Sequence, residues 1–161
     1  MRLPIRGMLV FVALTVATPA LCLSPDWDQC KDVNTEATAD DSLAACNRIL
    51  DDRREAPNRA MALRNRCGIY YTKGDYDHAL VDCDQALKME PRSAIGYNRR
   101  GLIFYMQKDN EKAIADFNTA LRLDPKMARA LYNRGLARQA KGETAAGAAD
   151  IARAKKLDPD L

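Results

Sequence analysis

Residues 97–125 read YNRRGLIFYMQKDNEKAIADFNTALRLDP. Within this stretch the tiny residues Gly101, Ala113 and Ala120 stand among large apolar side chains. Two helix axes can approach closely only where side chains are tiny, and bulky neighbours fill the holes beside those points. Pro125 ends the stretch, because proline disfavours helix at the residue before it. The pattern therefore predicts a pair of closely packed helices that ends near Pro125.

The same pattern recurs at a shift of 34 residues, which is a period typical of stacked helical hairpins. The columns that repeat without a gap are Pro91, Pro125 and Pro159; Arg66, Arg100 and Arg134; Asp82, Asp116 and Asp150; Cys67, Gly101 and Gly135; and Phe117 and Ile151. An alternative register aligns Gly68 with Gly101 and deletes one residue near Gly74. The ungapped register keeps the Arg and Asp columns, which predict ion pairs or hydrogen bonds between helices of neighbouring hairpins.

Turns are predicted at equivalent places in each copy. Gly74 and Gly142 are each followed by an acidic residue, so each is expected to end the first helix of a hairpin. Lys108 holds this place in the middle copy. An acidic residue followed by proline, as at Pro91, is expected to stop the second helix and to begin the next one.

Residues 97–125 resemble a tetratricopeptide repeat, and residues 60–91 and 133–159 resemble further copies. The resemblance implies an all-α fold, a right-handed α-α superhelix of stacked antiparallel helical hairpins. Repeats are expected over 60–93, 94–127 and 128–161.

A fourth, degenerate hairpin is expected over residues 23–59. A shift of 34 carries Pro91 onto Pro57 and Asp75 onto Asp41, which places its second helix over residues 42–52. Its first helix would hold Trp27 and Cys30. Terminal repeats are usually atypical, and a disulfide between the two helices would compensate for weaker packing.

Residues 1–22 have the three parts of a secretory signal peptide: basic residues, an apolar run over 7–17, and small residues before a cut after Cys22 or Ala20. A retained N-terminal anchor is the alternative. Leu21 before Cys22 is a poor match to a lipoprotein signal. The leader predicts a periplasmic or secreted protein, without stable membrane insertion after cleavage.

The other four cysteines, Cys30, Cys46, Cys67 and Cys83, read as structural disulfides behind such a leader. Two equal spacings favour the pairs Cys30–Cys46 and Cys67–Cys83. The pair Cys46–Cys67 is also close in sequence and stays open.

Composition excludes several function classes. The formal net charge of +3 is too balanced for a nucleic-acid binder. A single histidine makes a His-based metal site or a Ser/His/Asp triad improbable, and no glycine-rich phosphate loop is present. We therefore expect a protein that is not an enzyme and that uses no cofactor or metal.

Function is expected on the concave face, which the first helix of each repeat lines. Arginine and asparagine can hold a peptide backbone or carboxylate, and tyrosine supplies a rigid anchor. The candidate groove residues are Arg64, Asn65, Tyr71, Asn98, Arg99, Leu102, Tyr105, Arg129, Tyr132, Asn133 and Leu136. Chaperone-binding members of the family hold a C-terminal carboxylate with Lys, Arg and Asn, which the Arg and Asn residues here resemble only loosely.

The sequence thus predicts an adaptor or scaffold of the cell envelope that binds a protein or peptide partner. The alternative is self-association through the C-terminal helix, whose apolar face is expected to include Ile151 and Leu157. That face would form a homodimer if no polar cap covers it.

Overall fold

The computed structural model describes residues 26–31 and 38–161, and the predicted leader of residues 1–22 lies outside them. Helices are the only regular elements in these two ranges. They are α1 (Asp26–Lys31), α2 (Ala39–Asp51), a 3-10 helix (Arg53–Asn58), α3 (Arg59–Thr72), α4 (Tyr76–Met89), α5 (Ala94–Met106), α6 (Asn110–Leu123), α7 (Ala128–Ala140) and α8 (Thr144–Leu157). Successive helices pack in pairs, and each pair packs on the next, so the predicted all-α solenoid is confirmed. The repeat limits themselves stay predictions.

Tiny residues allow the close approach of the paired helices. A Cβ atom added to Gly101 would lie 2.9 Å from the Phe117 ring. One added to Gly135 would lie 2.8 Å from the carbonyl oxygen of Gly147 and 2.6 Å from the Ile151 side chain. Ile151 therefore packs inside the last hairpin. Its expected place on an outward apolar face of α8 is wrong, because Ile151 fills the hole beside Gly135 as Phe117 does beside Gly101.

The Arg and Asp columns form ion pairs mainly within a hairpin, and not between hairpins as the sequence suggested. Arg100 donates from Nε and Nη2 to both carboxylate oxygens of Asp116, at 2.7 and 2.8 Å. The remaining nitrogen, Nη1, reaches back to Asp84 of the preceding hairpin at 2.6 Å. The hydrogen bonds that Arg100 donates to Asp116 raise the pKa of its guanidinium. These pairs also fix the ungapped register, with Cys67 in the place of Gly101.

Two disulfides, Cys30–Cys46 and Cys67–Cys83, each join the two helices of one hairpin. They are the pairs that the equal spacings favour, and Cys46 and Cys67 are not joined. All four cysteines are buried.

The N-terminal hairpin is offset from the period of 34. The sequence places α2 over 42–52, but α2 begins at Ala39 because Thr38 and Asp41 cap it reciprocally. Thr38 is thus the counterpart of Asp75, which caps α4. A 3-10 helix, which contains Pro57, takes the place of the short turn found between the later hairpins and accommodates the extra residues.

Proline lies in the turns between hairpins. The sequence suggested instead that proline would lie in the first turn of the next helix. Pro91 precedes the start of α5 by three residues, and Ser93 caps α5 by accepting a hydrogen bond from the Gly96 N–H at 3.2 Å. The Ser93 cap sets the helix start and leaves Pro91 outside it.

The turn inside each of the three later hairpins uses the left-handed backbone region. Gly74 and Gly142 have φ of 75° and 94°, and Lys108 adopts φ of 64° at the equivalent place. A side chain at positive φ costs about 1 kcal/mol, which glycine avoids.

Lys108→Gly is therefore expected to raise the free energy of unfolding by about 0.5–1 kcal/mol, measured by urea denaturation. The matched control is Gly142→Ala, which places a Cβ in the same conformation and is expected to cost about 1 kcal/mol. A loss of stability in Lys108→Gly would contradict the strain argument.

Candidate functional site

A cavity of about 480 Å³ opens on the face formed by α3, α5 and α7. Its volume is in the range of ligand sites in proteins. Eight of the predicted groove residues line it: Asn65, Tyr71, Asn98, Arg99, Leu102, Arg129, Tyr132 and Asn133. These residues come from the three first helices of successive hairpins, which is the placement that the repeat pattern predicts.

Three predicted groove residues do not line the cavity. Arg64 pairs with Glu90, with 2.7 Å between Nη1 and the carboxylate oxygen. Tyr105 packs against the cluster of Ala113, Phe117 and Ala137. Leu136 is half-buried elsewhere on α7.

An asparagine pair links α5 and α7 at the cavity wall. Asn98 is only 8% exposed, and its Oδ1 accepts a hydrogen bond from Nδ2 of Asn133 at 3.2 Å. Within the described residues Nδ2 of Asn98 donates no hydrogen bond, so its amide N–H groups are available to a ligand. Asn65 lines the same cavity from α3.

Arg99 forms the floor of the cavity. Its guanidinium lies over Gly68, where an added Cβ would be 3.5 Å from the guanidinium carbon, and it donates one hydrogen bond to the Arg64 carbonyl oxygen. Burial, and then the charge of Arg64, lower the pKa of Arg99. Within the described residues, Arg99 has no carboxylate partner at ion-pair distance. Its charge is thus half-buried without a matching anion.

Aromatic and aliphatic surface completes the site. Tyr71 lies beside Tyr76, with ring centroids 6.1 Å apart, and burial raises the pKa of the Tyr71 phenol. Tyr132 and Leu161 line the opposite end of the cavity. The arrangement offers apolar anchor positions at both ends and hydrogen-bond donors between them.

The lining residues that sequence reasoning missed include Cys30, Cys67, Ile69, Thr72, Ile103 and Leu161. Leu161 follows the last helix, so a prediction limited to helix faces omits it. It lies one period after Met127, and both side chains pack against the cluster that contains Leu131. The repeat itself is the signal that could have found Leu161.

The described residues hold no group of three or more His, Cys, Asp or Glu side chains that could bind a metal ion. None of the helices in residues 26–31 and 38–161 combines the length and apolarity that crossing a bilayer requires.

Comparisons with known proteins agree on one repeat type. A family model described as tetratricopeptide repeat matches residues 68–93 and 128–161, and a model described as TPR repeat matches residues 101–142. Together they span more than half of the chain. No curated protein matches the sequence.

Several solved structures have a similar fold. MamA from Desulfovibrio magneticus RS-1 (residue 41 to the end) has a TM-score of 0.71 and 21% identity over 84% of this chain and 75% of that chain. The first TPR of Spaghetti (RPAP3), bound to the HSP90 peptide SRMEEVD, has a TM-score of 0.62 and 24% identity over 65% and 82%. The TPR domain of Arabidopsis OM64 has a TM-score of 0.62 and 24% identity over 63% and 84%. At these identities the similarity shows the fold alone.

Proposed function

Because the chain belongs to the tetratricopeptide repeat family, we propose that it is a non-catalytic module that binds a segment of a partner protein in its concave groove. The groove is the surface that lines the cavity of α3, α5 and α7. Its shape suits an extended peptide, since donors on three parallel helices recur along its length. The structure of the first TPR of Spaghetti (RPAP3) with an HSP90 peptide supports this kind of role.

The observation that carries the proposal is Arg99. A half-buried guanidinium without a carboxylate is partly desolvated at a cost, and a partner that supplies an anion offsets that cost. Arg129 lines the same cavity, and so do the donors Asn65 and Asn133. We therefore propose that the bound segment carries a carboxylate that contacts Arg99, while its apolar side chains contact Tyr71 or Tyr132.

The proposed setting is the periplasm or the extracellular space, as an adaptor or scaffold of the cell envelope. Two buried disulfides support an oxidising compartment. The leader predicted over residues 1–22 supports export.

Arg99→Gln is expected to weaken peptide binding about tenfold or more, because it removes the charge that faces the segment. Peptides selected from a random display library on the oxidised protein would be titrated by calorimetry into wild type and variant. The matched control is Lys88→Gln, which removes one positive charge from the exposed side of α4 and is expected to leave affinity unchanged.

Chemical shifts of the side-chain amides of Asn65, Asn98 and Asn133 locate the bound peptide. Selected peptides that bind Arg99→Gln and wild type equally, with no shift of these amides, would place binding outside the groove. Circular dichroism of each variant controls for unfolding.

Self-association through α8 is the alternative proposal, and the outer face of α8 gives it little support. Lys155 stands where Leu121 packs against the following hairpin, and Ala152 stands where Asn118 accepts from Arg134. Leu157 is 44% exposed. Continuing the stack through a second copy would thus bury a lysine and lose the link that joins the other hairpins.

A further inference from the structure

The three junctions between successive hairpins are built alike, which allows their charges to be compared. At each junction an arginine of the later hairpin pairs with its own aspartate and extends Nη1 to the earlier hairpin. The acceptors of Nη1 are Asn47 for Arg66, Asp84 for Arg100 and Asn118 for Arg134, at 2.6, 2.6 and 2.8 Å. A difference between junctions therefore reflects the side chains and not the backbone.

The second and third junctions differ in the negative charge that surrounds their arginine. Arg100 is paired with two carboxylates, those of Asp116 and Asp84. Arg134 is paired with one, Asp150, and a single oxygen of Asp150 also accepts from Nη1 of Arg138 at 2.7 Å. The Asp150 carboxylate thus serves two guanidinium groups, and Arg138 has a second, longer ion pair with Glu143, at 3.8 Å from Nε.

Aromatic rings also differ between the junctions. Arg66 lies over the ring of Tyr70, and Arg100 lies over Phe104, each at 5.9 Å from the ring centroid. Arg138 occupies the equivalent position beside Arg134. The third junction therefore has a cation where the others have the negative face of a ring.

Two further arginines border the third junction. A hollow of about 280 Å³ is lined by Arg122, Arg134 and Arg153 together with Asn118, and no acidic side chain lines it in the described part of the chain. Nη2 of Arg153 donates to the Pro125 carbonyl oxygen at 3.2 Å, and Nη2 of Arg122 lies 3.4 Å from Oγ1 of Thr119. Neutral oxygens thus orient the guanidinium groups without cancelling their charge.

The second junction has Lys88 and Thr119 at the places of Arg122 and Arg153. Its acceptor is Asp84 instead of Asn118. Within one chain, equivalent geometry therefore supports a neutralised junction at α4–α5 and a cationic one at α6–α7.

We propose that the hollow between α6, α7 and α8 binds a phosphoryl oxyanion, at a site separate from the concave groove. The planar fork of arginine matches the oxygens of phosphate. Several guanidinium groups together are a better match to a dianion than to the single negative charge of a carboxylate. The same chemistry is presented by a soluble phosphate and by the headgroup of an anionic phospholipid.

The test is a titration of the oxidised protein with inorganic phosphate at constant ionic strength, with chloride as the reference anion. The Nε–H signals of Arg122, Arg134 and Arg153 are followed by NMR. We expect saturable shifts with phosphate and none with chloride. Asn118→Asp, which copies the acceptor at the second junction, is expected to weaken phosphate binding about tenfold.

Asp84→Asn is the matched control, because it makes the same exchange in reverse at the second junction. It is expected to leave phosphate affinity at the third junction unchanged. Since Asp84 occurs naturally at the equivalent position, Asn118→Asp should fold, and circular dichroism checks this.

A second arm distinguishes the sources of the phosphoryl group. Co-sedimentation compares vesicles of phosphatidylglycerol with vesicles of phosphatidylcholine. Retention on phosphatidylglycerol that Asn118→Asp abolishes assigns the lipid headgroup, whereas a phosphate response without retention assigns a soluble phosphate. The proposal is overturned if neither arm responds to Asn118→Asp, or if chloride and phosphate shift the same signals equally.

Discussion

Replacing Asp116 by alanine is expected to lower the free energy of unfolding by about 3 kcal/mol or more. Asp116 is 6% exposed and accepts two hydrogen bonds from Arg100 across the α5–α6 interface. Its removal leaves a half-buried guanidinium with only Asp84, which is itself exposed. Breaking a buried pair costs more than the pair contributes, because the remaining charge stays desolvated. Urea denaturation followed by circular dichroism measures the change.

Asp84→Asn is the control for this prediction, because it removes a carboxylate from the same guanidinium at the exposed side. We expect a change below about 1 kcal/mol, since exposed ion pairs contribute little and asparagine occupies this position at the two other junctions. Equal losses of unfolding free energy in Asp116→Ala and Asp84→Asn would show that the burial of Asp116 does not determine the size of the loss.

The Arg and Asp columns illustrate what the sequence could and could not predict. Their period correctly indicated ion pairs between helices. Arg100, however, is separated by sixteen residues from both Asp84 and Asp116. Equal separation on both sides cannot tell the partner in the same hairpin from the one in the preceding hairpin. Only the packing of the helices makes the Asp116 pair bidentate and the Asp84 contact single.

The N-terminal hairpin shows where a repeat period fails. The shift of 34 placed the start of α2 too late, because the loop before α3 holds a 3-10 helix instead of a short turn. Thr38 and Asp41 form a capping box, which is a local signal that outweighs a long-range period. The equal spacing of the two cysteine pairs, by contrast, correctly predicted from the sequence alone which helices form a hairpin, where the period of 34 failed.

The groove was predicted more completely than its chemistry. Helix periodicity determines which side of each first helix faces inward, so most lining residues could be identified from spacing. The depth of Arg99 could not, because it depends on the absence of a side chain at Gly68 on the neighbouring helix. The sequence also gives no sign that Arg64 pairs with Glu90, which is 26 residues away. These contacts separate Arg99, which faces the cavity, from Arg64, which does not.

Opening the Cys67–Cys83 disulfide is expected to destabilise the protein by about 3 kcal/mol, since the bond closes a loop of about sixteen residues. The bond has a structural counterpart in the other hairpins. Cys67 and Cys83 occupy the places of Gly101 and Phe117, which are in direct contact. A covalent bond thus replaces an aromatic side chain that packs on a glycine.

The neighbouring hairpin indicates why replacing the disulfide by a glycine and a phenylalanine also requires a change at a third residue. Cys83 packs in one cluster with Ile103, whereas Phe117 packs in one cluster with Ala137, which is one period after Ile103. Ile103 is larger than Ala137, and it occupies the space that the disulfide, which is smaller than a phenylalanine ring, leaves free. Cys67→Gly with Cys83→Phe is therefore expected to overpack the hairpin by about 1–3 kcal/mol, and adding Ile103→Ala is expected to relieve this.

The triple variant Cys67→Gly, Cys83→Phe, Ile103→Ala should therefore fold and should lose about half as much stability as wild type when reductant is added. Wild type opens two crosslinks of similar loop length, while the variant opens only Cys30–Cys46. Urea denaturation with and without dithiothreitol gives the two losses. A triple variant no more stable than the double variant would show that Ile103 does not compensate for the missing ring. The disulfide would then be a crosslink added to this hairpin, and not a substitute for the packing seen in its neighbour.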